Sequence, residues 1–589
     1  MEFRTHHHWF RSGEHSVLAH LDVPAQPARA GLVIVSPFGW DEICAHRPLR
    51  SLARSLAAQG IAVLRFDLPG TGDSSGSALD SGLLSAWTKS VQDSVAELKA
   101  AAGVQSVSIL GVRLGAMLAL AAASAGAAVE SLILWGASAT GRALLRELRA
   151  FRNLEVTELA PGEIAPPAPV EGLEVAGFLL SPETEKDLDA FSLLSLAPPT
   201  DQRILLLTRD NFPHDNKLVQ FLEKGGCQVT LAAGPGYQDM LAAPHEPLAS
   251  SPAIEQTIFE FLRPVAGTYD AVAPKRDSYA LSCHLKNDIV ETAVTLPHKG
   301  ESLFAVLSRP AVPGAGSEFG LLFMNAGGVH HIGPNRMWVE AARRWAARGV
   351  PSMRIDFQRV GESDGDQLAN ITNLHADDLV QQLDTAMQTM HSELGCKKFI
   401  AVGLCSGAFA AFQSAIRDSA VRAAILLNAR LFFWDPQLEP RRLAKRVGAG
   451  CADLGYWRRL VSGEIHPKRI LQAGRVALRN LLHGRDRFIP AERLAQAWRQ
   501  VKRFQTRVTL VFADGEPLLE EMVNENQMPP SDIPSVQCIR VGKTGHTFRA
   551  LWAQKVVQDL IDSEIEATIA PHVDLSRVAD PEFVLAWKV

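Results

Sequence analysis

One short segment of the chain, Gly403-Leu404-Cys405-Ser406-Gly407, sets a thiol between two glycines. An aliphatic run, FIAV at 399–402, precedes it, and the helix-compatible AFAAFQSAI follows. Strand, sharp turn and helix in that order form the setting of the G-x-S-x-G nucleophile elbow, with cysteine in place of serine. The central residue of such a turn has a strained backbone, and any side chain two positions away would collide with the crossing helix or strand. The thiol is therefore expected to stand at a helix N-terminus, where unpaired N–H groups and the helix dipole favour thiolate over thiol. Partners for the nucleophile follow in the order acid, then histidine. RVTLVFADGEP reads as a buried strand with Asp514 on the loop after it, and VQCIRVGKTGHTF as the next strand with His546 in a glycine-flanked loop. In this reading Asp514 orients the imidazole, and His546 takes the proton from Cys405 and later returns it to the leaving group or activates water. Glu516, two residues further along the same loop, is a rival for the acid. A tetrahedral oxyanion needs two backbone donors. Ser406 N–H is one, and Ala326 or Gly327 in Asn325-Ala326-Gly327-Gly328 is the other.

These residues need a frame, and the sequence states one twice. The first half holds GLVIVSPFGW, QGIAVLRFDLPGTGDSSG and VSILGVRLGA; the second holds GLLFMNAGGVHH, RGVPSMRIDFQRVGESDG and FIAVGLCSGA. Each anchor is an aliphatic run followed by Gly, Pro or Asp and then an amphipathic stretch, the pattern of βα units in a parallel sheet. Asp67 to Arg113 spans 46 residues and Asp356 to Cys405 spans 49, so the repeat keeps its spacing. A hairpin is expected ahead of each set, at HHHWFRSGEHSVLAHLDVP and DIVETAVTLPHKGESLFAVLSRP. The prediction is an α/β fold of two tandem domains, 1–270 and 278–589, joined by a linker at 271–277 and packed on each other.

At the matching elbow the first half reads Gly111-Val112-Arg113-Leu114-Gly115. A guanidinium is always protonated and cannot attack a carbonyl. The first domain is expected to be catalytically inactive, with Asp210 and His245 as the remnants of its site and Asp210 as a candidate ion partner for Arg113.

Between Asn428 and the acid-bearing strand lies a long stretch expected to form a helical cap at about 430–504. It is basic, with pairs such as Arg441-Arg442 and Arg458-Arg459 outweighing Glu439, Asp453 and Glu464, and apolar residues such as Tyr456 and Trp457 are interleaved. A cap of this kind suits an acyl chain and an anionic carrier, either a phosphopantetheine group or an acidic carrier protein.

Composition excludes several classes. The chain has 589 residues, 47% hydrophobic and 21% charged, with a net charge of -5, which offers no electrostatic drive toward nucleic acid. Seven scattered cysteines with no C-x-x-C pair indicate neither a zinc site nor a disulfide framework. The most apolar long run, Leu114 to Val129, stops at Glu130, short of the roughly 20 residues a membrane helix needs. The N-terminus lacks the pattern of a secretory signal, so a soluble cytoplasmic protein is expected.

The motifs together resemble the α/β-hydrolase superfamily. The D-x-x-G-x-G-x-S-x-G signature stands at Asp67 to Gly76, and again at Asp356 to Gly365 with Arg359 replacing its first glycine. The second half also resembles the hydrolases associated with the exosortase A system, a serine-aminopeptidase-like branch, through HHIGPNRMWV, MRIDFQRVGESDGD, GLCSGAFAA, LLNARLFFWD and YWRRLVSGE. The resemblance implies hydrolysis of a small-molecule ester or thioester, or acyl transfer to an alcohol or amine in exopolysaccharide or natural-product biosynthesis, in either case without a metal or organic cofactor. With serine lost from both elbows, a noncatalytic binding or scaffold protein is the remaining alternative.

Overall fold

The computed structural model describes residues 2–157, 171–210, 212–244, 250–268, 279–312, 318–365, 378–434, 489–542 and 544–572. The expected linker, His245 and residues 435–488 of the expected cap lie outside the described residues.

Among the described residues the first half builds an eight-stranded sheet in the order β1-β2-β4-β3-β5-β6-β9-β10. The strands are β1 (Phe3–Ser12), β2 (His15–Pro24), β3 (Ala30–Val35), β4 (Ile61–Phe66), β5 (Val107–Val112), β6 (Ser131–Trp135), β9 (Arg203–Leu207) and β10 (Gln228–Ala232). A separate hairpin consists of β7 (Leu173–Val175) and β8 (Phe178–Leu180). The described residues of the second half build a nine-stranded sheet in the order β11-β12-β13-β15-β14-β16-β17-β18-β19. Its strands are β11 (Ser282–Leu285), β12 (Ile289–His298), β13 (Glu301–Pro310), β14 (Phe319–Met324), β15 (Ser352–Ile355), β16 (Lys398–Leu404), β17 (Val421–Leu427), β18 (Arg507–Ala513) and β19 (Val536–Val541). Apart from β11, the second order repeats the first strand for strand. Each sheet opens with an antiparallel hairpin and continues as parallel strands. The central strands β3, β4, β5 and β14 are buried along their whole length, which is why they read as near-continuous apolar runs, broken by Arg65 in β4 and Ser108 in β5, rather than as alternating ones. Both hairpins turn in two residues, Gly13-Glu14 and Lys299-Gly300, as their glycines suggest.

The matched signature turns have matched chemistry. Gly72 and Gly361 lie at φ +48° and +52°, and a Cβ on either would fall within 2.2 Å of the carboxylate of Asp67 or Asp356. That close approach lets the next amide bond the acid: Asp73 N donates to Asp67 Oδ2 at 2.8 Å and Glu362 N to Asp356 Oδ2 at 2.9 Å. Ser74 and Ser363 hydroxyls donate to the carbonyls of Asp67 and Asp356 and accept from the amides of Leu18 and Phe304. Arg359 holds φ +71°, beside +77° at Gly70, so its departure from the glycine pattern leaves the turn intact.

The acids displayed by these turns cross to the other half. Glu362 accepts a bidentate pair from Arg65 of β4 at 2.8 and 2.9 Å, and Asp73 pairs with Arg354 of β15. Arg65 precedes Asp73 by eight residues and Arg354 precedes Glu362 by eight, so the exchange is reciprocal. Arg50 donates to the carbonyls of Glu362 and Ser363, and Arg343 to those of Asp73 and Ser74. Asp73 also meets His331 Nε2 at 2.5 Å, while His331 Nδ1 meets Asp356 at 2.8 Å. Burial opposes the charge on this imidazole, but its two carboxylates overcome the penalty and raise its pKa to about 10. Buried ions of this kind add little net stability over apolar contacts, yet removing one partner costs about 3–5 kcal/mol, so they fix how the halves dock.

Candidate active site

Cys405 follows β16 directly and N-caps the helix Ser406–Ala415, at φ 58°, ψ -108°. Arg113 takes nearly the same conformation, φ 52°, ψ -112°, ahead of the helix Leu114–Ser124. The backbone amide of each bonds the last carbonyl of the neighbouring strand, Cys405 to Leu427 at 2.9 Å and Arg113 to Trp135 at 3.0 Å. The flanking glycines are needed for packing: a Cβ on Gly403 would lie 2.2 Å from the Gly407 carbonyl carbon, and one on Gly407 would lie 2.7 Å from Asn325 O. The sharp turn is thus built in both halves, with a thiol in one and a guanidinium in the other.

The loop after β19 brings His546 to the thiol. Its Nδ1 lies 2.8 Å from Glu516 Oε1, which leaves Nε2 for the hydrogen bond with Cys405. Burial works against an imidazolium here, but the hydrogen bonds to Cys405 and Glu516 and the charges of both raise the pKa of His546 to about 9. The carboxylate bonded to the imidazole differs from the sequence expectation. Asp514, expected as the partner of His546, is solvent-exposed on the turn after β18, whereas Glu516 is 5% exposed and directed at the imidazole. The physical reason is the turn itself. Asp514 and Gly515 form its exposed tip, with Gly515 at φ +76°, and the chain re-enters the interior at Glu516 as N-cap of the helix Pro517–Asn524. The second oxygen of Glu516 is buried and has no hydrogen-bond partner among the described residues.

The loop after β14 is pinned by Asn325. Its amide donates to Val329 O and Asp356 Oδ1, and its carbonyl accepts from Phe357 N, all at 2.7 to 2.9 Å. Gly327, at φ +61°, points its amide at Ser406 Oγ, 3.0 Å away. Ala326, Gly327 and Ser406 therefore do come together beside Cys405, with the Ser406 hydroxyl acting as acceptor for the Gly327 amide.

Asn428 is a residue the sequence reading passed over. It ends β17 at φ +42°, fully buried; its Nδ2 donates to His546 O at 2.6 Å and its Oδ1 accepts from Ala513 N at 2.7 Å. One side chain thus ties the histidine loop to the strand that leads to Glu516. A polar residue closing the run AAILL was the available signal, since Gly136 takes the corresponding left-handed position after β6.

In the first half the expected Arg113–Asp210 pair is not formed. Asp210 uses both oxygens on the amides of Gly236 and Gln238, at 3.1 and 2.8 Å. Arg113 instead meets Asp41 at 2.9 Å and Glu147 at 3.2 Å, and Glu147 also holds Arg209 at 2.8 Å. The guanidinium is neutralised in place and, with Phe38, Phe178 and Leu180, lines a cavity of about 130 Å³.

The C-terminal part of the expected cap is a sheet-crossover helix. Ala491–Phe504 buries Leu494, Ala497, Trp498 and Val501, with Trp498 edge-on to Phe412 and Phe432, and runs straight into β18. A group of possible metal ligands, His7, His20 and Glu362, lies at the junction of the halves. It does not suit a cation, because both Glu362 oxygens are already held by Arg65 and Arg50 stands beside them. Among the described residues no helix is long and apolar enough to cross a membrane.

Residues 32–305, a little under half of the chain, match a family model described as the alpha/beta hydrolase family. The fold is that of the α/β hydrolases. Solved structures similar to this chain include Est1E from Butyrivibrio proteoclasticus with ferulic acid bound, at 17% identity over 43% of this chain and 99% of that chain, TM-score 0.31. Proline iminopeptidase from Mycobacterium smegmatis is similar at 14% identity over 48% of this chain and 99% of its own, TM-score 0.32. A thioesterase domain from the curacin biosynthetic pathway is similar at 17% identity over 46% and 99%, TM-score 0.28. A search of curated protein sequences finds no match.

Proposed function

We propose that the chain is an acyl hydrolase that cleaves an ester or thioester through Cys405, His546 and Glu516. The observation that carries the reading is one imidazole bonded on one side to the elbow thiol and on the other to a buried carboxylate. With the imidazole protonated, the Cys405 sulfur attacks the acyl carbon as thiolate, and the carbonyl electron pair moves to oxygen. The Ser406 and Gly327 amides receive that oxyanion, the Ser406 hydroxyl giving up its place as acceptor for Gly327. Collapse of the intermediate leaves a thioester on Cys405 and expels an alkoxide or thiolate, which takes the proton from His546 Nε2. Neutral His546 then removes a proton from water as the water attacks the thioester, and Cys405 departs as thiolate beside the restored imidazolium. Glu516 keeps Nδ1–H in place throughout and stabilises the cation.

The first half keeps the elbow without a nucleophile, and its part is structural, as one half of a duplicated pair. The basic residues of the 430–504 stretch make a phosphopantetheine thioester or an acidic carrier the first donor to assay, and the resemblance to exosortase A system-associated hydrolases points the search toward exopolysaccharide-linked esters. The test is turnover of p-nitrophenyl esters by three proteins. Wild type and Arg113→Leu should turn over alike and Cys405→Ala should be inactive; an active Cys405→Ala with an inactive Arg113→Leu would move the chemistry to the other elbow.

A further inference from the structure

The histidine loop is held from outside its own half. The helix Leu551–Ile569 begins five residues after His546, and its N-cap, Ala550, has no side chain able to bond the open amides of the first turn. The partner comes from the β7–β8 hairpin of the first half. Glu174 Oε1 accepts from Leu551 N at 2.9 Å, a carboxylate at the positive end of the helix. Gln554 donates to Gly177 O at 2.8 Å, and Asn335 to Ala176 O at 2.6 Å. The hairpin turn is shaped for this contact: Ala176 and Gly177 are both left-handed, at φ +49° and +79°. A Cβ on Gly177 would lie 2.0 Å from Arg549 O, backbone against backbone three residues from His546. The Arg549 guanidinium in turn stacks 3.9 Å over the ring of Trp40, again from the first half.

We infer that the first half is a positioning element for catalysis in the second: Glu174 caps, across the domain boundary, the helix that anchors the His546 loop, and Gly177 sets the distance. This deepens the triad reading above and rests on it. It explains why an α/β half with no nucleophile keeps a hairpin seated beside the other half's histidine. Glu174 touches no reacting atom, so its effect must pass through the placement of His546 between Glu516 and Cys405.

The experiment uses the full chain as wild type, Glu174→Ala, Glu174→Gln and Gly177→Val. Three readouts apply: hydrogen exchange at 551–554, kcat and KM for a p-nitrophenyl ester, and the pH profile of Cys405 alkylation by iodoacetamide. Glu174→Ala should speed exchange at Leu551 about fivefold, the worth of a typical cap, and lower kcat about tenfold at nearly constant KM, with the imidazolium-dependent limb of the alkylation profile moved to lower pH. Glu174→Gln, which keeps an acceptor oxygen, should recover most of each effect, and Gly177→Val should reproduce the loss. Unchanged exchange in Glu174→Ala overturns the cap. Faster exchange with an unaltered kcat and pH profile overturns the link to His546. A wild-type thiol that stays inert below pH 8 overturns the triad reading and the positioning role with it, while the exchange arm still decides separately whether Glu174 caps the helix.

Discussion

Replacing Glu516 with glutamine separates the two candidate acids and has a magnitude the geometry sets. The pKa of His546 stands at about 9 against an ordinary 6.5, a preference for imidazolium shared between Cys405 and Glu516. At about 1.4 kcal/mol per unit the whole preference is on the order of 3 kcal/mol; with the imidazole 35% exposed, solvent screening reduces it to about 1–2 kcal/mol. Cys405 and Glu516 both hold the imidazole in its charged form, so Glu516→Gln should lower the imidazole pKa. Turnover should fall about 10²- to 10⁴-fold, because a neutral amide neither fixes the tautomer nor stabilises the cation. The stability effect has a definite sign. A folded-state pKa above the unfolded value stabilises fully below pH 6.5, and the contribution is lost as pH rises through 9. The melting temperature of Glu516→Gln should therefore trail wild type most near pH 6 and converge with it above pH 9. Asp514→Asn should change turnover by less than about twofold at any pH. Steady-state rates and melting curves from pH 5.5 to 9.5 measure all of this. A large loss in Asp514→Asn, or Glu516→Gln within twofold of wild type, would refute the assignment.

The remaining predictions concern support and outcome. Asn428→Ala leaves His546 O and Ala513 N without their side-chain partner and puts alanine at φ +42°, so it should cost about 1–3 kcal/mol in chemical denaturation and reduce kcat more than it raises KM. Asp73→Asn strips the charge from the partner of His331 and Arg354 and should cost about 3–5 kcal/mol in the same assay. Because the His331 pKa is raised to about 10, its stabilisation is complete below pH 6.5 and is lost as pH rises through 10, a decline that Asp73→Asn should flatten. If the thioester on Cys405 forms, added alcohols or amines will compete with water for it, and product analysis by mass spectrometry will show either diversion at low acceptor concentration, which marks a transferase, or hydrolysis throughout.

Much of this was legible in the chain because it rests on local rules. Aliphatic runs of five or six residues between turn formers define the buried parallel strands, and glycines two apart from Cys405 and Arg113 mark elbows whose steric reason is local. The acid was harder. Asp514 and Glu516 lie on one loop, and the choice depends on where the turn tip falls, which Gly515 decides through its left-handed backbone. Arg113 had the same difficulty: Asp41 and Glu147 come from helices remote in sequence, and sequence order favoured Asp210, whose oxygens the Gly236 and Gln238 amides occupy. The contacts between the halves were least legible. Asp73 and Glu362 read as signature-turn residues, and nothing in their own segments says that each charge is matched by an arginine nearly 300 residues away.

The most direct test of the central claim is peptide mapping of the full chain quenched in acid milliseconds after mixing with an activated ester. One acyl group is expected on the peptide carrying Cys405, formed at the rate of the burst and discharged at the rate of turnover. Turnover with that peptide unmodified, or with the acyl group on another residue, contradicts it.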